Sequence, residues 1–313
     1  MTRVVAAVDI GTNSTNLLVR DADGREVERV VNITRLGRGV DASNRLHPEA
    51  VERTCAVLRD YAVTLAHHGV NTDRDLRVIT TSAARDAANR DEFFTAVHDA
   101  IGRAPDLLSG DDEGRLAHRG ALSGLTVGDG WHLLVDIGGG STELVLGERT
   151  GGRLGVRAVR SLDVGSVRLT ERYLHGDPPR PEELTNAIGD AHDLLDDALR
   201  EIPDLALATR LVGTAGTIVT AAAVEIGQPT FDLAALHGFR FEREAVEDVF
   251  RTLATEPLAD RVHNPGLPAD RADVIVGGLC VLVAIMRRWD ARDILVSAHN
   301  IMDGVCAELL ETP

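Results

Sequence analysis

Two segments of this chain place an acid, a glycine turn and hydroxyls in the same order. Asp9-Ile10-Gly11-Thr12-Asn13-Ser14-Thr15 returns as Asp136-Ile137-Gly138-Gly139-Gly140-Ser141-Thr142, so an Asp-Ile-Gly-x-x-Ser-Thr frame occurs twice. Apolar runs flank each copy, which reads as strand, tight turn, strand. Glycines let backbone approach an anion closely, and successive N–H groups then form a concavity suited to phosphate. Thr12, Asn13, Ser14, Ser141 and Thr142 add side-chain donors to the amides of Gly11, Gly138, Gly139 and Gly140. A third candidate loop, Gly213-Thr214-Ala215-Gly216-Thr217, follows another apolar run. A lone glycine turn is well explained as a structural hairpin. Two in one frame, with a third beside them, favour a phosphate grip.

The acids need a different chemistry. A carboxylate repels phosphate but holds Mg2+, which takes one or two carboxylates together with waters and substrate oxygens. Asp9 and Asp136 suit that role as a pair; singly, each would serve as a turn acid capping local N–H groups. Glu143 stands where the first copy has Asn16, which marks the second hairpin as the metal side; an exposed strand carboxylate is the plainer alternative. Ser109-Gly110-Asp111-Asp112-Glu113 puts three carboxylates in the first turn of a predicted helix. The helix dipole favours them as anions, while mutual repulsion resists ionising all three. One of them can take a proton from a water attacking phosphate, although a cap followed by helix-start acids also accounts for the run. Arg85 follows a short strand and opens a helix, near the strand ends where α/β sites form. Its guanidinium can clamp phosphate oxygens in pairs; pairing with Asp86 is the alternative. The eleven histidines show no metal-ligand spacing.

Elements must position these groups. Residues 25–33 read as a third strand after the first hairpin, and Thr34-Arg35-Leu36-Gly37-Arg38-Gly39-Val40 as a loop rich in Gly and Arg. Residues 48–66 form a helix with Pro48 in its first turn and Gly69 closing it. Residues 76–80 are a short buried strand, and Ser82 caps a helix carrying Arg85 in its first turn. Ser109 caps the next helix, with Asp112 as its capping-box acid. The polar, Gly-rich residues 124–129 mark a domain boundary, giving domains 1–125 and 126–300, with a final helix at about 301–313 able to pack back on the first. Beyond the second hairpin, residues 157–163 and 211–212 are strands and 181–200 a helix. Residues 273–287 form an apolar helix, and 293–297 a last strand. Each half is led by the same hairpin, so the expectation is two α/β domains related by duplication.

Composition limits partners and setting. The chain has 313 residues and a formal net charge of −16, with Arg as its sole cationic residue besides His. That charge argues against nucleic acid or an anionic membrane as partner. Only 3% of residues are aromatic, so the cores must be aliphatic. Cys55, Cys280 and Cys306 are odd in number and lack metal spacing, as expected of reduced cytosolic thiols. No signal peptide opens the sequence, and the longest apolar run, 274–286, is too short for a bilayer. A soluble cytoplasmic protein is expected.

Taken together, Asp9 to Ser14, Ala84-Arg85, Ser109 to Arg115, Asp136 to Glu143, Gly213 to Thr217 and Asp303-Gly304 resemble the exopolyphosphatase/guanosine pentaphosphate phosphatase family, within the actin, hexokinase and chaperone-ATPase superfamily. The resemblance runs over nearly the whole chain. It implies two ribonuclease-H-like, actin-like domains with the active site in the cleft between them. It makes Glu113 the general base, sets Asp136 and Glu143 with Asp9 around Mg2+ or Mn2+, and gives Arg85 and the loop amides the terminal phosphates. A monovalent cation is a further candidate cofactor, and a homodimer is implied. The implied reaction is metal-dependent release of terminal orthophosphate from inorganic polyphosphate, short chains being favoured because the longer relatives' extra C-terminal helical domains are absent. Removal of the 5′-terminal phosphate of guanosine pentaphosphate is the alternative substrate reading. A sugar or acetate kinase, and a non-catalytic polyphosphate or nucleotide-binding regulator, are the readings from other classes. Three departures stand out: Asp112 where the family has a first Glu, Gly114 where Ala is usual, and Met302 where many relatives carry Arg.

Overall fold

The computed structural model describes residues 3–312. By its internal contacts the chain divides into two compact units, Met1–Gly120 with Ile301–Pro313, and Ala121–Asn300. The division falls ahead of residues 124–129, where the polar linker was expected. The Ala121 carbonyl accepts a 2.8 Å hydrogen bond from Ser297 Oγ, and Ser123 Oγ lies 2.9 Å from His299 Nδ1. These bonds commit the end of that helix to the second unit.

The first unit holds β1 (Val4–Ile10), β2 (Ser14–Asp21), β3 (Glu26–Ile33), α1 (Val40–Ser43), α2 (Pro48–His67), β4 (Leu76–Thr80), α3 (Ser82–Arg85), α4 (Arg90–Ile101), β5 (Asp106–Leu107) and α5 (Gly110–Ala121). The second holds β6 (Gly130–Ile137), β7 (Thr142–Thr150), β8 (Arg153–Leu162), α6 (Ser166–Tyr173), α7 (Pro181–Glu201), β9 (Leu211–Thr214), α8 (Ala215–Ile226), α9 (Leu233–Leu236), β10 (Arg240–Glu242), α10 (Arg243–Thr255), α11 (Leu258–Arg261), α12 (Ile275–Arg288) and β11 (Asp293–Val296). Helix α13 (Ile301–Glu311) returns to the first unit.

The two sheets repeat one topology. The first runs β3-β2-β1-β4-β5, with antiparallel pairing through β1, β2 and β3 and parallel pairing of β1 with β4 and β4 with β5. The second runs β10-β11-β9-β6-β7-β8. Its β8-β7-β6-β9-β11 part repeats the same order and the same parallel and antiparallel senses, and β10 adds an antiparallel edge. Sequence duplication therefore appears as duplicated topology.

Aliphatic side chains fill both cores. Val8, Ile10, Leu17 and Val19 of the first hairpin meet Leu58 and Leu65 of α2 and Phe93 and Val97 of α4. In the second unit α12 is buried continuously from Ile275 to Met286. A helix apolar on every side belongs inside a core, and α12 packs among α6, α7, α8 and α10.

Three expectations change. The helix expected from Ser82 is a single turn, α3, whose N-cap is Thr81 and whose last residue is Arg85. Among the longer helices, α4, α6, α8 and α10 were not foreseen. Residues 213–217 are not a loop: Gly213 and Thr214 finish β9, and Ala215 starts α8. Buried Gly213 is needed for packing, since a β-carbon there would stand 2.7 Å from Ile294 Cδ1.

Candidate active site

The hairpin turns have identical bonding. Gly11 N–H donates to the Ser14 carbonyl at 2.9 Å, and Gly138 N–H to the Ser141 carbonyl at 3.0 Å. Both amides are thus spent in closing their turns, which corrects their expected place among the phosphate donors. Carbonyl placement shows where the remaining amides face. The Gly138 carbonyl accepts from Ser166 N–H, and the Gly139 carbonyl from Val167 and Arg168 N–H. Arg168 Nε donates to the Gly140 carbonyl at 2.7 Å. In a planar trans peptide the N–H of the next residue points opposite to the carbonyl. The amides of Gly139, Gly140 and Ser141 therefore face away from α6. In the first loop the Thr12 carbonyl accepts from Gly37 N–H, and the Asn13 carbonyl from Thr34 and Arg35 N–H. This turns the Asn13 and Ser14 amides the other way.

Not every expected hydroxyl is available. Thr142 Oγ1 donates to the Val164 carbonyl at 2.7 Å, and Thr214 Oγ1 to the His299 carbonyl at 2.6 Å. Both side chains are wholly buried and hold elements in place. Thr12, Asn13, Ser141 and Thr217 are buried at the turns or, for Thr217, in the first turn of α8. Ala215 adopts φ +68°, a left-handed conformation rare outside glycine, and Gly216 follows it at the positive end of α8.

The acids occupy matched positions. Asp9 pairs across the ladder with Asn16, and Asp136 with Glu143. In the first hairpin Asn16 Nδ2 donates to Asp9 Oδ2 at 3.2 Å and to Ser14 Oγ at 3.1 Å. Asn16 Oδ1 is buried with no hydrogen-bond partner among the described residues. In the second hairpin two carboxylates face each other, which is unfavourable without a compensating charge. Glu143 is 1% exposed and accepts from Ser161 Oγ at 2.8 Å, so it is not a surface carboxylate.

Glu113 meets Asp9 electrostatically. It is 9% exposed on the first turn of α5, whose start is fixed by a reciprocal cap: Asp112 N–H donates to Ser109 Oγ, and that hydroxyl donates to Asp112 Oδ2. Arg85 Nη1 donates to Glu113 Oε2 at 2.7 Å and to the Leu108 carbonyl at 3.0 Å. Arg85 thus reaches across to Glu113. Burial pushes the Glu113 carboxyl up, and the Arg85 charge and hydrogen bond, then Thr81, pull it back. Burial, with the Glu113 charge next, pushes Asp9 up to about 7; the Asn16 hydrogen bond opposes this.

Each unit carries oxygen donors of the type Mg2+ takes. The ion is satisfied by one or two carboxylates plus waters and substrate oxygens. The second unit offers hard oxygen donors of that kind in the facing Asp136–Glu143 pair, and the first unit, taken by itself, in Asp9 and the Asn16 oxygen, which has no hydrogen-bond partner among the described residues. Among the described residues, no three or more His, Cys, Asp or Glu side chains gather as a self-sufficient metal cage.

Sequence reasoning missed Arg168 and Arg271. Arg168 is visible only once α6 sits on the glycine loop; Gly165 allows it, because a β-carbon there would stand 2.6 Å from the Gly139 carbonyl oxygen. Arg271 lies on the α8 N-terminus: a β-carbon on Gly216 would stand 1.8 Å from Arg271 Nη1. Burial lowers the Arg271 pKa, with the Asp270 charge opposing. Buried Arg261 grips the carbonyls of Leu253, Glu256 and Ala272, which fixes the chain beside Arg271. No local spacing marked these arginines.

Comparison with known proteins gives a consistent family. Residues 8–312 match the Ppx/GppA phosphatase family. Exopolyphosphatase 2 of Mycobacterium tuberculosis is 39% identical over 321 residues, covering 97% of this chain and 98% of that protein. A guanosine-5′-triphosphate,3′-diphosphate pyrophosphatase of Photobacterium profundum is 28% identical, covering 97% of this chain but 59% of that protein. Among solved structures, an exopolyphosphatase-like protein superposes with a TM-score of 0.91 at 32% identity, covering 97% of this chain and 98% of its own. An Aquifex aeolicus member of the Ppx/GppA family gives 0.80 at 29%, covering 99% of each.

Proposed function

Since the chain belongs to the Ppx/GppA phosphatase family, matched over residues 8–312, we propose that it is a metal-dependent exopolyphosphatase that releases terminal orthophosphate from inorganic polyphosphate. The carrying observation is the buried Glu113 carboxylate, oriented by Arg85 at 2.7 Å within the unit that also holds Asp9 and the first phosphate loop.

In this reading water attacks the terminal phosphorus in line, and Glu113 takes its proton. The bond to the bridging oxygen breaks, leaving orthophosphate and a chain shorter by one phosphate. Burial raises Glu113 toward the pH at which a carboxylate is an effective base. Arg85 fixes the oxygen that accepts the proton, and its remaining N–H groups bind the terminal phosphate. The amides of Asn13, Ser14, Gly139, Gly140 and Ser141 and the hydroxyls of Thr12, Ser14, Ser141 and Thr217 hold phosphate oxygens. The α8 start at Ala215 and Gly216, with Arg271, adds positive potential. Such preorganised donors lower the barrier without reorganising during reaction. Asp136, Glu143 and Asp9 would hold Mg2+ or Mn2+, which when bound supplies charge neutralisation on phosphate oxygens. By family resemblance the reading extends to a cytoplasmic homodimer, with a monovalent cation as a candidate second ion.

Guanosine pentaphosphate is the second substrate reading, favoured by the match to the Photobacterium protein. Purified protein with Mg2+ is given chain-length-defined polyphosphate beside guanosine pentaphosphate, and released phosphate is measured. Glu113→Gln should lower release by about 10²- to 10⁴-fold and leave substrate binding intact. Ordinary turnover by that variant would overturn the assignment of the base.

A further inference from the structure

The loop 34–39 has no part in the chemistry above, yet it is built onto the first phosphate loop. Three of its amides, from Thr34, Arg35 and Gly37, donate to the carbonyls of Asn13 and Thr12 at 3.1, 2.9 and 2.8 Å. Arg53 Nε secures the Thr34 carbonyl at 3.2 Å, and Thr34 Oγ1 lies 2.9 Å from Thr15 Oγ1. Gly37 lies so near Thr12 that a β-carbon there would stand 2.2 Å from Thr12 Cγ2. Arg35 is held at φ +50°, a conformation a β-carbon disfavours. Such backbone persists only where surrounding bonds overdetermine it, and the Asn13 carbonyl supplies that constraint.

The next residue but one to Leu36 is Arg38. It is exposed and makes no hydrogen bond or ion pair with a side chain among the described residues. Its backbone N–H bonds the Arg35 carbonyl at 3.3 Å, which ties its position to the same strained turn. In a chain of net charge −16, many arginines are engaged by carboxylates, as in the Arg77–Asp106, Arg157–Asp204 and Arg240–Asp293 pairs. A cation left unpaired beside the phosphate loop is matched to a polyanion.

Resting on the exopolyphosphatase reading, we propose that the loop 34–39 is a chain-length subsite, in which Arg38 binds the phosphates of a polyphosphate beyond those engaged at the cleaved bond. A linear polyphosphate carries charge along its whole length, so a long substrate reaches this loop and a very short one does not. The guanidinium suits the site because it pairs with phosphate oxygens without a fixed partner of its own.

The test compares tripolyphosphate with long-chain polyphosphate on wild type, Arg38→Ala and Arg38→Lys, in the full-length protein with Mg2+. Arg38→Ala should raise KM for the long chain about tenfold, the loss of one charge-assisted contact. It should leave kcat, and both constants for tripolyphosphate, unchanged. Arg38→Lys should recover part of the long-chain KM. An equal change on both substrates, or none on the long chain, overturns the subsite. If wild type releases no phosphate from either substrate, the hydrolase reading fails. Long-chain polyphosphate binding is then compared directly: about tenfold weaker binding by Arg38→Ala upholds the loop's role, and equal binding overturns it.

Discussion

One substitution between the duplicated hairpins separates their electrostatics. Asn16 opposite Asp9 gives a carboxylate–amide pair, whereas Glu143 opposite Asp136 gives two facing carboxylates. Asp9 still feels a second acid, because Glu113 comes to it from α5. The consequence for stability follows from linkage. A carboxyl whose pKa rises on folding binds its proton more tightly in the native state. Its contribution is fully present below the unfolded value and is lost as pH rises through the folded value. For Asp9 the window runs from the ordinary carboxylate range to about 7. Asp9→Asn should therefore gain melting temperature relative to wild type between about pH 5 and pH 8 in the presence of a chelator. Mg2+ should shrink the gain by favouring the wild-type anion. Paired melts at both pH values check this; a difference that does not change with pH would remove Asp9 as the titrating group.

At the scale of elements, the second glycine loop depends on α6. The helix start takes the carbonyls of Gly138 and Gly139, Arg168 takes that of Gly140, and the loop amides are thereby turned outward. Gly165 makes this seating possible, since any β-carbon there collides with Gly139 backbone. Gly165→Ala should cost about 1–3 kcal/mol through overpacking and weaken phosphate binding about tenfold by displacing the helix start. Gly155→Ala on β8 is the control, because a β-carbon there meets nothing within 4 Å. KM and urea midpoints for both variants decide the matter; an unchanged KM for Gly165→Ala would mean that α6 does not set the loop. A parallel close approach occurs in the first unit. A β-carbon on Gly304 would stand 2.1 Å from the Leu116 carbonyl oxygen, so glycine lets α13 pack directly against α5, the helix that bears Glu113.

At the scale of the whole chain, a segment remote in sequence completes the first unit. Helix α13 packs on β1 and β2, and its Asp303 is buried beneath Arg20 and Arg29. The Arg29 Nη2 contact is 2.9 Å, and the Asp303 carboxylate is 0% exposed. Removing one partner of a buried ion cluster leaves uncompensated charge, which costs about 3–5 kcal/mol. Asp303→Asn should lower unfolding stability by that order and loosen the C-terminal helix first. Urea unfolding with hydrogen exchange on residues 301–311 measures both effects; a loss below about 1 kcal/mol would show that apolar packing alone holds α13.

Much of the fold was legible because its signals are local. Repetition of the Asp-Ile-Gly frame announced the duplicated hairpins, and the 76–80 strand and the long helix from Pro48 follow from apolar runs and their punctuation. Residue types also framed the proposed chemistry: glycine turns and hydroxyls suited to phosphate, Asp and Glu suited to a cation, and an acid run that holds the proposed base. The sequence left open which donors are spent inside the fold. Gly11, Gly138, Thr142 and Thr214 look like ligand groups in one dimension, but their hydrogen bonds close turns or tie elements together. It also left open the arrival of Arg85 at Glu113, of Arg168 on the glycine loop and of Arg271 on α8. Those encounters join residues far apart in the chain, and no periodicity encodes them. Local pattern determined the kinds of group present and the repeated hairpin that carries them. Tertiary packing decided which groups remain available, because burial and competing bonds are assigned only when distant segments meet.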